Sequence, residues 1–465
     1  MPAPSEQHHP LVVSDLLILG ILGTGTAVIS FFGFQVHATI LAGCVIAGLV
    51  ILKRPEIGIL FFLSTFLFSY PSFLRGIGMI TPNNLLGLVF IFLLLERIFR
   101  KEGAWFLRVP QVQLLIGIGI VFLLSALFSK APPEFMSPDD RTRKELWDFY
   151  TQCAFLVFMV SFIQTRSHLK AVYALLLFSV ILTAVLALLF FVPTGGFSRA
   201  MAQGGIRMAK NSNHLAFYCL FGLVCSFYLL QETGNLFLKG TLGVLIMILL
   251  LVILLSASRN AFLNLLVFFG VVTFESGLEL RKIMLILFLG GVLLLLAFNL
   301  VPKQHLDRIT ALQMDPTQME ASGSIRERKE SLKIGLRIFL DSNPLLGVGP
   351  GNFRWIRQTH YDHKRVATHN AYLWAILSGG VPALVLYLLL FWTSLKDLSW
   401  MLRQKTEASL PPKWMVKTTR TVLLLFMVFS IFTESFLHIM PFFLIATTII
   451  MKRAFLYRLQ EPSTP

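Results

Sequence analysis

Charge is scarce in this chain. Of its 465 residues only 14% are Asp, Glu, Lys or Arg and 55% are hydrophobic, against roughly 25% charged in an ordinary soluble domain. That balance excludes a water-soluble globular enzyme. Cysteine is equally sparse: Cys44, Cys153, Cys219 and Cys225 all lie inside apolar runs, where a free thiol behaves as a small hydrophobe. Neither a disulfide framework nor a zinc spacing is present. Acidic residues number 24 against 40 Lys and Arg, which leaves a formal charge of +16. No Asp-x-Asp or His-x-x-x-His spacing occurs, so divalent-metal catalysis has no evident ligand set and no metal or cofactor is expected. The first ten residues contain no Lys or Arg and lead to no small-residue cleavage site. The first apolar run is therefore read as a retained membrane helix and not as a signal peptide.

What the chain has in abundance is long apolar runs. A run of about 20 such residues crosses a hydrocarbon core of roughly 30 Å. Fourteen candidate spans are read at about 11–32, 36–52, 57–74, 80–96, 111–129, 147–163, 171–193, 214–231, 240–257, 261–275, 283–301, 371–395, 420–436 and 438–451. The ten-residue alternation of a membrane β-barrel is absent. The fold class is all-α: a polytopic helical membrane protein of about 12–14 transmembrane helices, twelve if the short runs 36–52 and 438–451 do not cross.

Basic clusters fall on alternate connections: Lys53-Arg54, Arg97 to Arg108, Arg166 to Lys170, Arg281-Lys282, Lys396 to Arg420 and Lys452 to Arg458. The positive-inside rule places them, and both termini, in the cytoplasm. Four units follow: N-terminal helices over 1–193, helices with arginine-bearing outer loops over 194–301, one long outer loop over 302–370, and C-terminal helices over 371–465. The long loop carries 11 Lys or Arg against 7 Asp or Glu. An outward cationic excess fits an anionic partner at that surface, although long loops escape the charge rule and need charge for solubility.

Polar residues gather at the outer ends of spans. Arg199, Arg207 and Lys210 precede Asn211, Asn213 and His214 at the start of one helix. Three cations beside free helix N–H groups suit a phosphate; a snorkelling loop with Asn213 as N-cap is the plainer alternative. Ser256-Ala257-Ser258-Arg259-Asn260 leaves no room for a loop, which puts Arg259 at the outer interface. In the long loop, Leu332, Leu336, Phe339 and Leu340 follow helical spacing and predict an amphipathic helix along the bilayer, ended sharply by Pro344 and Gly347, Gly349 and Gly351. His369 then stands at the mouth of the next span, placed either to accept a proton from a hydroxyl or to serve a structural role. Glu434 and His438, near the outer end of the last hairpin, are placed to pair with an outer cation or to assist His369, with a helix-turn role as the plainer reading.

Taken in order, Ser256-Ala-Ser-Arg259, Arg328, Pro344-Leu-Leu-Gly-Val-Gly-Pro-Gly-Asn-Phe353, and His369-Asn-Ala-Tyr-Leu373 with Gly379-Gly380 resemble the signature of the O-antigen ligase and O-antigen polymerase superfamily. Arg207 followed by Asn211-Ser-Asn213 resembles it too, with Ser212 where the family commonly has proline and Leu332 where it commonly has an aromatic. The resemblance covers about 200–395. It implies a GT-C-like, multi-span glycosyltransferase at the periplasmic face of a bacterial inner membrane, with membrane lipids around it and no nucleic-acid partner. The donor it implies is a glycan on undecaprenyl diphosphate, and the acceptor a lipid A-core sugar or, for a polymerase, another glycan. It also implies Arg207 and Arg328 as diphosphate-binding catalytic residues, with Arg259, Arg326, Lys210, Asn213 and Asn370 as further binding candidates. His369 is implied as the group that deprotonates or orients the acceptor hydroxyl. A transporter is the reading from another class; it predicts broken helices, ionisable residues at mid-membrane and internal repeats.

Overall fold

A computed structural model describes residue 48 and residues 51–67, 82–100, 104–128, 141–194, 212–256, 258–276, 320–404 and 411–460. The predicted spans 11–32 and 283–301, and most of 36–52, lie outside these residues. Thirteen α-helices and one 3₁₀ turn, Ala104–Arg108, make up the regular structure of the described residues, with no strand among them. The helices are α1 Pro55–Leu67, α2 Pro82–Phe99, α3 Pro110–Phe128, α4 Arg141–Phe162, α5 Arg166–Thr194, α6 Ser212–Glu232, α7 Leu236–Leu255, α8 Arg259–Ser276, α9 Glu320–Leu340, α10 Phe353–His360, α11 Ala371–Arg403, α12 Lys413–Phe429 and α13 Ile439–Gln460.

Local chemistry explains several of the boundaries. Pro55, Pro82 and Pro110 occupy first helical positions, where the missing N–H costs nothing. Asn235 caps α7 by accepting from Phe237 N and Leu238 N, and Asn370 caps α11 by accepting from Tyr372 N and Leu373 N, both at 2.9 Å. Among the described residues six helices are long and apolar enough to cross a bilayer: Pro110–Phe128, Arg166–Leu189, Ser212–Glu232, Leu236–Leu255, Ala371–Arg403 and Ile439–Leu456. The chain is a polytopic helical membrane protein.

The helix over the predicted span 420–436 starts earlier and ends earlier, at Lys413–Phe429. Two of its basic residues, read as part of a basic connection, are seated on neighbours. Arg420 pairs with Glu275 of α8, and Lys417 lies over the Tyr228 ring of α6 at 5.6 Å. Residues 430–438 form a non-helical turn at one end of the bundle. Ala371 N donates to Ser430 O and Asn260 Nδ2 to Phe429 O, so this end also holds the starts of α8 and α11. The opposite end is tied by Asp397, which accepts from Gln111 at 2.8 Å and from Lys452 at 2.6 Å.

One span departs from the uninterrupted reading. Helix α11 breaks at Gly379 (φ −154°, ψ 24°) and Gly380 (φ 67°, ψ −166°). A broken helix inside a bilayer needs partners for its freed backbone groups. The glycine-rich turn after α9 supplies them: Val348 N donates to Leu377 O at 2.7 Å, and Val381 N donates to Pro344 O at 2.8 Å. Ser125 of α3 donates to Leu346 O at 2.5 Å, and Thr142 of α4 donates to Pro350 O at 2.9 Å. The turn is therefore sunk between α3, α4 and α11. Above it, Trp374, Phe436, Phe149 and Phe122 form an aromatic cluster, with Trp374 and Phe436 stacked at 4.9 Å.

Candidate active site

Three elements converge at the Asn370 end of the bundle. The first is the tight turn into α8. Ser258 Oγ accepts from Ala261 N, which caps the helix, and donates to Asn213 Oδ1 at 2.7 Å, which ties the helix to the start of α6. Asn260 is buried, and Asn264 donates to it from one turn below. Arg259 is left at the rim.

The second element is α9. Its packed face is Ser331, Ile334, Gly335 and Ile338, set against Leu373 and Leu377 of α11. A Cβ at Gly335 would stand 2.7 Å from the Leu373 side chain, so the glycine permits this approach. The stripe singled out from the sequence lies beside this face: Leu332, Leu336 and Leu340 are exposed, while Phe339 is partly buried against the same cluster. The register of α9 is held by Arg357 of α10, fully buried, which donates to Asp362 from Nε at 2.9 Å and from Nη2 at 2.5 Å. Its Nη1 reaches Ser331 Oγ at 2.5 Å. A buried guanidinium satisfied on three nitrogens is a directional staple. It holds Arg328, one turn before Ser331, toward the α8 rim.

The third element is the chain entering α11. His369 has φ 52°, the left-handed region, while its neighbours are fixed on both sides. Thr368 N donates to Glu434 Oε2 at 3.0 Å, and Asn370 caps α11. A non-glycine residue held in that region costs about 1–3 kcal/mol and persists only where its surroundings enforce it.

Together these elements enclose a cavity of about 400 Å³. Arg259, Asn260, Arg328, Lys329, Thr368, His369 and Asn370 form its polar wall, and Leu263, Leu332, Ile431 and Phe432 its apolar lip. Burial lowers the affinity of Arg328 for its proton, and the Arg259 charge lowers it further, with Glu327 opposing. Two guanidiniums that repel each other create a demand for an anion. Burial also holds the His369 pKa below the usual histidine range; Arg328 and Arg354 push it the same way, while Glu434 and Glu327 oppose. The imidazole is therefore neutral near pH 7 and able to accept a proton.

Of the residues singled out in the sequence, Arg259, Arg328, His369 and Asn370 share this cavity. Asn213 sits behind it, bonded to Ser258. Arg326 points away: its side chain is 77% exposed and pairs with Glu330 at 3.0 Å. Arg207 and Lys210 lie outside the described residues. Lys329 and Thr368, which line the cavity, were not among the sequence candidates for it, and Glu434 stands just behind it. Lys329 and Thr368 are adjacent to residues that were, and Glu434 is the residue read as a partner for an outer cation or an aid to His369, with a turn role preferred. It pairs with Arg354 at 3.3 Å and binds Thr368, partners 80 and 66 residues away, so a simple helix-turn role does not describe it.

A search of curated proteins finds no match to this chain. The model of a family described as O-antigen ligase matches residues 243–388, less than half of the chain but enough to include Arg259, Arg328, His369, Asn370 and both halves of the glycine joint. Residues 243–388 thus match the O-antigen ligase family, and that stretch walls most of the cavity.

Proposed function

We propose that this protein is a glycosyltransferase that moves a glycan from undecaprenyl diphosphate to a lipid A-core sugar at the periplasmic face of a bacterial inner membrane. The observation that carries this reading is the composition of the cavity. Two guanidiniums and a neutral imidazole face an apolar lip whose Leu263, Leu332 and Ile431 are themselves exposed. A substrate that suits both sides has a charged group joined to a long hydrocarbon, which is what a lipid diphosphate offers.

In the proposed reaction His369 accepts the proton of the acceptor hydroxyl as its oxygen forms the new bond to the anomeric carbon. The bond from that carbon to the diphosphate oxygen breaks, and the electron pair leaves with the diphosphate. Arg259 and Arg328 meet the charge as it develops, with Arg207 as a further cation, and guanidinium suits this because it grips phosphate oxygens in pairs and stays charged. Attack from the face opposite the leaving group inverts the anomeric centre.

The test is reconstitution of the purified protein with undecaprenyl diphosphate-linked O-antigen and lipid A-core, in EDTA, beside His369→Ala. Glycan on lipid A-core that survives chelation and falls at least about a hundredfold in the variant supports the reading. Longer donor chains with untouched lipid A-core would make the protein a polymerase instead. No transfer to either acceptor would return it to transport. The same assay checks Arg326→Ala, expected to stay within about twofold of wild type because an exposed i,i+4 pair contributes only about 0.3–0.5 kcal/mol.

A further inference from the structure

Resting on the reading of His369 as the proton acceptor, we propose that Glu434 is a positioning residue for that base. It holds the backbone in front of His369 and couples it to the helix that carries Arg354.

The geometry separates Glu434 from the reacting space. Thr368 lines the large cavity on one side and a second, far smaller one on the other. Glu434 belongs only to the smaller chamber, with Glu145, Arg354, Trp374 and Ser378. A group behind the wall does not touch substrate in the cavity. It acts through Thr368, which is 2% exposed and binds one Glu434 oxygen twice, from N at 3.0 Å and from Oγ1 at 3.1 Å. The other oxygen takes the Arg354 bond.

Glu434 stands on a rigid base. Within the 430–438 turn, Thr433 Oγ1 donates to Phe429 O, Ser435 N to Thr433 O and His438 N to Ser435 O. The same turn supplies Ser430 O to Ala371 N. Residues 368 and 371 are thus both fastened to one short segment, and His369 is suspended between them in its left-handed conformation. Removing the carboxylate frees one of the two attachments, after which the strained conformation has less to enforce it.

Glu434 also contributes charge. The charged groups around His369 are Arg259 from α8, Arg328, Lys329 and Glu327 from α9, Arg354 from α10 and Glu434 from the 430–438 turn. A negative neighbour favours the imidazolium. Neutralising it makes the ring lose its proton at lower pH, so the acidic limb of the rate profile moves down.

The experiment compares the pH profile of glycan transfer, from undecaprenyl diphosphate-linked O-antigen to lipid A-core, in wild type, Glu434→Gln, Glu434→Asp and Glu434→Ala. Thermal unfolding in detergent runs alongside. Glu434→Gln keeps an acceptor for Thr368 N but loses the charge. It is expected to shift the acidic limb to lower pH with less than about a tenfold fall in maximal kcat. Glu434→Ala is expected to lower kcat at least about tenfold while the donor KM stays within about twofold, and Glu434→Asp to recover part of the loss. Wild-type kcat and pH limb in both the Gln and Ala variants would overturn the proposal. So would a fall in kcat in which the limb of Glu434→Gln does not move, since that is the signature of damaged folding alone. If Glu434→Ala does not fold, the limb of Glu434→Gln decides. His369→Ala separates the two levels: activity retained there removes the base and the reading it supports, while activity lost there with an unshifted Glu434→Gln removes only Glu434.

Discussion

Arg328→Ala is expected to lower glycan transfer about a hundred- to a thousandfold, the effect of removing one preorganised donor from a group that gains charge in the transition state. The loss belongs mainly in kcat, because a diphosphate carries more negative charge on its bridging oxygen as it leaves than while it is bound. Arg328→Lys is expected to recover little, since an ammonium on a flexible stem cannot reproduce the planar fork. The structure gives a further reason. Arg328 is half-buried beside Arg259, and α9 is fixed by the Arg357 staple, so a shorter reach cannot be compensated by sliding the helix. Single-turnover transfer and donor KM, measured for both variants, check this. Activity within a few fold of wild type in Arg328→Lys would place Arg328 outside the donor site.

The largest effect on the fold is expected from Gly380→Ala. Gly380 combines positive φ with ψ near 180°, a region essentially reserved for glycine. A Cβ there would be driven into the carbonyl oxygen of Pro344, and one at Gly347 into that of Leu377. Either substitution forces the turn and the helix apart and breaks the Val348 to Leu377 and Val381 to Pro344 bonds. Backbone strain of about 1–3 kcal/mol and two buried polar groups at about 1–3 kcal/mol each add to a loss of several kcal/mol. A marked fall in the unfolding midpoint in detergent, equal within error for Gly380→Ala and Gly347→Ala, is the expected result. Gly240→Ala, where the added Cβ meets nothing within 4 Å, is the control and should leave the midpoint unchanged. A midpoint near wild type in Gly380→Ala would show that the joint does not carry the fold.

Much of this architecture was legible in the sequence, because spanning a bilayer demands uninterrupted apolar length. The run read as 111–129 is the helix Pro110–Phe128, and that read as 214–231 is Ser212–Glu232. The misplaced end of α12 shows the limit: Lys417 and Arg420 have partners on α6 and α8, far away in the chain. Periodicity identified α9 as amphipathic and found its exposed leucine stripe, but not the Ile334 and Ile338 face that packs on α11. Leucines and isoleucines are equally apolar, and only the approach of Leu373 and Leu377 decides which face is covered. Of the site, Arg259, Arg328, His369 and Asn370 could be found as polar residues at helix mouths. Glu434 could be named as a partner for an outer cation or for His369 but not preferred over a turn residue, because Thr368 and Arg354 reach it only after α11 and α12 have packed. The break at Gly379-Gly380, which entered the sequence reading only as part of a motif, was hidden for the same reason: its partner is a turn some thirty residues upstream.

The sunken glycine turn bears on how such proteins can be recombined. Residues 344–348 and the broken stretch 377–381 are two halves of one backbone-to-backbone fit, with Ser125 and Thr142 as flanking supports. A chimera that imports a foreign segment for residues 320–370 while keeping the host α11 divides that fit down the middle. Segment and helix therefore exchange as one cassette, and crossover points belong outside it, before α9 and beyond Val381.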